Sequence, residues 1–157
     1  MQDRVIEAIE QATLEVFALM VGVDVTKEGE VPAPTPSGVN IVSSFTLTGA
    51  ISGTANVYYA IPLAEWFASR MLQAEGDLPR EDVLDAAGEV ANMIVGTVKN
   101  TLEAMLGAIQ IGTPTVAICD SQPDGKAEYE DMSVTFRCRD NVFNVCIGFQ
   151  ESRALVQ

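Results

Sequence analysis

The chain contains no histidine. That absence excludes a Ser-His or Cys-His nucleophile system and any histidine metal ligand. The phosphate-cradling G-x-x-x-x-G-K-[ST] loop and the G-x-G-x-x-G dinucleotide fingerprint are missing too, which argues against a nucleotide enzyme. Three cysteines without histidine do not make a convincing zinc site. Positive charge is scarce: nine basic residues stand against 22 acidic ones, and the formal charge of −13 repels phosphate backbones and anionic headgroups. Nucleic acid and membrane surfaces are therefore poor partners. No apolar run approaches the roughly 20 residues that span a bilayer, and the N-terminus, MQDRVIEAIEQATLEVFALMVG, scatters charges where a signal peptide needs an apolar run. The expected location is cytoplasmic, with reduced thiols. A reaction carried out by this chain must borrow its electrophile, and its metal, from a partner.

What the chain does have is one long amphipathic stretch, residues 82–107, DVLDAAGEVANMIVGTVKNTLEAMLG. Leu84, Ala87, Ala91, Ile94, Val98 and Leu102 recur at helical spacing and predict a single buried stripe. Asp85, Glu89, Asn92 and Gly96 fall on the opposite side, because residues three and four apart are neighbours on a helix. A carboxylate and a carboxamide are thus expected side by side in solvent. Gly88 and Gly96 each cost such a helix about 1 kcal/mol relative to alanine, and Gly96, one turn beyond Asn92, leaves room for another surface to approach.

The residue types suit a limited chemical role. A glutamate carboxylate in water is ionised at neutral pH and serves as a charge for a partner's lysine more readily than as a proton acceptor. An asparagine amide both donates and accepts, so it can hold a water in a fixed orientation without ionising. Orienting water for in-line attack on a phosphoryl group is a known task for a side-chain amide. E-x-x-N alone is nevertheless a common pattern, and two polar residues on a wet helix face are its plain alternative.

The remainder reads as one domain, 1–157, large enough to bury a core without cross-links. Val5, Ile6, Ile9, Thr13, Val16, Phe17 and Met20 mark an amphipathic first helix over 3–21. Residues 23–38, with Pro32, Pro34 and Pro36, predict a surface loop. Two strands over 39–61 are expected to flank a tight turn at Ser52-Gly53, with Ile41, Phe45, Leu47 and Ile51 inward and Tyr58 and Tyr59 on opposite faces. Pro62 opens a short helix anchored by Trp66, Phe67 and Met71, and its Glu65 reads as solvated. Pro79, Glu81 and Asp82 suit the start of the long helix and Gly107 its stop. Further strands are expected at 115–119, 132–139 and 142–149. A turn at Asp140-Asn141 would set Phe136 opposite Val145, Val134 opposite Ile147 and Cys138 opposite Phe143, with Cys146 on the other face. The thiols are expected to be free and mostly buried. This order of elements predicts an α+β domain, a largely antiparallel sheet with helices packed on it.

With these residues in place, the chain resembles the CheX branch of the CheC, CheX and FliY family of chemotaxis phosphatases. The family signature is Asp or Ser, three residues, Glu, two residues, Asn and a proline some twenty residues later. Asp85, Glu89, Asn92 and Pro114 occupy those places, and the likeness runs through Gly49, Gly53, the EVANMIVGTVKN segment and the closing hairpin. The resemblance implies a CheC-like fold and hydrolysis of the aspartyl phosphate on a CheY-like response regulator. Glu89 would pair with the regulator's lysine, and Asn92 would position the attacking water. This chain would bind no cofactor; the Mg2+ would sit on the regulator. A homodimer is also implied. Asp85 and Pro114 match the motif without an evident chemical role, Pro114 reading as a stop before a strand. CheC-type relatives often carry two active helices, whereas the first helix here offers only Glu10 and Thr13 at the matching spacing, so one site per chain is expected. The alternatives are a non-catalytic binding or scaffold module of the chemotaxis or flagellar switch, and a domain of another two-component pathway.

Overall fold

The computed structural model describes residues 2–30, 38–120 and 131–152. Helix α1, Gln2–Val16, buries Val5, Ile9, Thr13 and Val16 as its periodicity predicts, with Ala8 and Ala12 beside them, while Ile6 only borders the core. It ends in a π turn, Phe17–Val21, closed by Gly22 at φ 78°, whose N–H donates to the Phe17 carbonyl at 2.8 Å. That turn delivers Phe17 to the core, where its ring stacks on Phe143 at 4.8 Å and meets Phe67 edge-on at 5.9 Å.

The chain then forms strands β1 (Thr26–Glu30), β2 (Asn40–Gly49) and β3 (Ile51–Ala60), helices α2 (Ile61–Leu72) and α3 (Arg80–Leu106), and strands β4 (Ile109–Ile111), β5 (Thr115–Cys119), β6 (Asp131–Cys138) and β7 (Asn141–Glu151). The strands make one antiparallel sheet in the order β1-β6-β7-β3-β2-β4, with β5 also on β2. All three helices pack on one face, where their apolar residues join Ile41, Phe45, Leu47, Val57, Tyr59, Val134, Phe136 and Val145 in the main core. Val42, Tyr58 and Cys146 cluster on the opposite face, as strand alternation requires. The expected α+β arrangement is the observed one.

Several local expectations are corrected. Residues 26–30 are an edge strand on β6, not loop; Lys27 pairs with Glu10, Glu28 with Arg137, and the ladder is bulged between Lys27 and Gly29. The expected prolines, Pro32, Pro34 and Pro36, lie outside the described residues. The β2–β3 turn sits at Gly49-Ala50, because Leu47 faces Gly53 and Ser52 and Gly53 are already paired with β7. Gly49 supplies φ 104° there, whereas a Cβ on Gly53 would stand 2.1 Å from the Gly148 carbonyl oxygen. Both glycines admit a close backbone, Ala108 against Gly49 and Gly148 against Gly53, but Gly49 also turns the chain.

In the closing hairpin Phe136 faces Phe143, Val134 faces Val145 and Cys138 faces Asn141, so the turn is Arg139-Asp140 and the register differs by two residues from the expected one. A two-residue shift leaves every side chain on its face, and the observed pairing stacks Phe136 on Phe143 at 5.3 Å beneath Phe17. Cys138 accordingly faces the core and Cys146 the other side, while Cys119 is exposed. In α2 Phe67 is fully buried, but Trp66 and Met71 only border the core. The Arg139 guanidinium lies 4.5 Å from the Trp66 ring centroid and that of Arg70 5.3 Å. Arg70 also donates to the carbonyls of Val21 and Gly22, tying α2 to the end of α1.

Candidate active site

Helix α3 is the spine of the helical layer, packed on α1, α2 and strands β2 to β5. Its buried set is wider than one stripe: Val83, Ala86, Val90 and Val95 join Ala87, Ala91, Ile94, Val98 and Leu102, while Leu84 is only half-buried. A helix wedged between two others and a sheet has more than one face to bury. Glu81 and Asp82 complement the dipole of its first turn, and at its end the Gly107 N–H (φ 112°) donates to the Glu103 carbonyl. The Glu103 carboxylate accepts from the Ile109 N–H at 2.9 Å and pairs with Lys99 at 3.0 Å, and these contacts, in that order, hold its pKa below the usual carboxylate value.

What remains is a narrow outward strip. Asp85, Glu89 and Asn92 are all exposed on it. Among the described residues, neither Glu89 nor Asn92 has a hydrogen-bonding or ion-pairing partner. Met93 stands beside Asn92 at 47% exposure, an apolar component of the strip that the stripe pattern did not single out. The Thr97 hydroxyl bends back to the Met93 carbonyl at 2.8 Å, so it does not project.

The two helical glycines differ. A Cβ on Gly88 would lie 2.9 Å from Val116 Cγ2, so Gly88 lets strand β5 close on the helix; a Cβ on Gly96 would meet nothing within 4 Å. Pro114 lies elsewhere, exposed in the β4–β5 connection, where the missing N–H suits a break in the pairing along β2. The structure thus gathers Asp85, Glu89, Asn92 and Gly96 on one helix face and leaves Pro114 on another element.

Among the described residues no group of three His, Cys, Asp or Glu side chains could hold a metal. No helix among them is long and apolar enough to cross a membrane. A cavity of about 190 Å³ is lined by Leu63, Trp66, Arg139, Asp140 and Asn141, none of them on α3. The strip on α3 thus stands apart from that cavity, on the outward side of a helix packed on two others and a sheet.

Solved structures place this architecture among known folds. A CheC-like superfamily protein from Shewanella sp. PV-4 superposes with a TM-score of 0.82 at 18% identity, over 96% of this chain and 99% of that one. Chemotaxis protein CheX from Vibrio vulnificus gives 0.80 at 19% identity, over 93% and 99%. CheX in a CheX–CheY–BeF3–Mg complex from Borrelia burgdorferi gives 0.76 at 24% identity, over 93% and 97%. The fold is CheC-like.

The family model for chemotaxis phosphatase CheX matches residues 41–136, which hold the whole of α3. The chain belongs to the CheX family of chemotaxis phosphatases. No curated protein matches it.

Proposed function

We propose that this phosphatase hydrolyses the aspartyl phosphate of a CheY-like response regulator, and that it does so by inserting the outward strip of α3 into the regulator's phosphorylated pocket. The observation that carries this reading is the pair Glu89 and Asn92, exposed and, among the described residues, unpartnered on a helix whose inner side is locked in the core. Glu89 pairs with a lysine of the regulator and fixes the docking register. Asn92 accepts from and donates to a water, aligning it with the phosphorus for in-line attack. Holding water in that geometry removes much of the entropic cost of the step. The Mg2+ belongs to the regulator, which fits the absence of a metal-binding group among the described residues of this chain and the Mg present in the complex of the Borrelia relative. Asp85 adds negative charge to the approach and has no further role in the reaction. Pro114 ends the β4–β5 connection. The working protein is a cytoplasmic homodimer, with residues 1–157 of each chain forming one domain that carries one site.

The test is loss of phosphate from a phosphorylated CheY-like regulator in Mg2+, with the chain present at less than one equivalent. The parent accelerates decay and Asn92→Ala does not. If the parent binds the regulator without shortening the phosphate's lifetime, the chain is a scaffold of the switch apparatus and the catalytic reading is wrong.

A further inference from the structure

Nothing among the described residues accounts for Gly96. Glycine is the poorest helix former after proline, and here it interrupts a 27-residue helix near its middle. Gly88 carries the same handicap for a visible reason, since Val116 occupies the space its side chain would take. Around Gly96 that space is open, its φ is not positive, and it closes no turn. An alanine would fit and would make the helix more stable.

We infer that Gly96 sets how deeply Asn92 enters the regulator, by letting the regulator's backbone rest directly on the helix one turn beyond the amide. This rests on the function proposed above and adds a positioning residue to it. Asparagine has a short side chain, so its amide reaches a reacting water only if the helix itself comes close. A Cβ stands about 1.5 Å out from its Cα, and one at position 96 would hold the partner off by a comparable distance on the same face. A 1 Å misplacement of reacting groups can cost about 100-fold in rate. Charge identifies the occupant. The strip and the turn before it carry Glu81, Asp82, Asp85 and Glu89 against one exposed cation, Arg80 at the helix start, while Lys99, three residues beyond Gly96, is paired with Glu103. A second copy of this chain would bring the same negative face, whereas a regulator with an exposed lysine is complementary.

Gly96→Ala therefore separates stability from activity. In thermal unfolding the variant gains about 2–4 °C in Tm, and in the decay assay its kcat falls at least about tenfold, with the dimer unchanged by sedimentation. A raised Tm with unchanged kcat, or with only KM raised, overturns the depth-setting role while leaving the phosphatase reading intact. A lowered Tm means the fold needs Gly96 after all, and a changed oligomeric state means the second copy sits there; either overturns the inference. If the parent itself does not accelerate decay, both readings fall together.

Discussion

Helices α1 and α3 pack against each other on the same face of the sheet, and each carries a glutamate three residues before a short hydrogen-bonding side chain. On α1 the pair is Glu10 and Thr13; on α3 it is Glu89 and Asn92. Their fates are opposite. Thr13 is fully buried with its hydroxyl unpartnered among the described residues, and Glu10 is held by Lys27 of β1 at 3.1 Å. Glu89 and Asn92 face outward and bond to nothing among the described residues. Spacing alone therefore does not make a site. Rotation of the helix relative to its neighbours decides whether an i, i+3 pair becomes part of the core or a surface offered to a partner.

The contrast is open to attack by mutation. The largest effect is expected on α3: Asn92→Ala lowers regulator dephosphorylation by at least about 100-fold, with thermal stability unchanged, as read by phosphate decay and circular dichroism. Next, Thr13→Asn writes the α3 pattern onto α1. It is expected to lose about 2–3 kcal/mol of stability in urea titration, because a larger polar group enters a sealed site, and to gain no activity. A second working site in that variant would break the comparison outright. Glu89→Gln comes third, raising KM by about tenfold through the loss of a charge-assisted contact, with a smaller change in kcat. The smallest effect is Thr13→Val, within about 1 kcal/mol of the parent or more stable, since it removes a buried hydroxyl that has no partner. If Thr13→Val impairs dephosphorylation, α1 takes part in function and the two helices are less different than they look.

Much of this was legible in the chain, for identifiable reasons. A helix of 27 residues repeats its period often enough that Asp85, Glu89 and Asn92 could be placed outward from spacing alone. Strand alternation assigned Tyr58 and Tyr59, and Cys138 and Cys146, to opposite faces. Register was not legible, because a shift by two residues preserves the face of every side chain. The turn at Gly49 was missed because a glycine that turns the chain and one that only admits a neighbouring strand look alike in sequence; the positive φ at Gly49, absent at Gly53, separates them. Strand β1, TKEGE, has the polar composition of a loop and is a strand because β6 offers it an edge. In the site, the motif positions were visible. The different reasons for Gly88 and Gly96 needed the position of Val116.

Helix α3 is at once the core's main strut and the bearer of the exposed pair, with buried side chains from Val83 to Leu102 running beneath Glu89 and Asn92. The amides under the site should therefore exchange with deuterium only when the whole domain opens, as slowly as any in the molecule. In the docking proposed above, this helix has little flexibility left to lose, so the ordering cost would fall on the regulator's side of the interface.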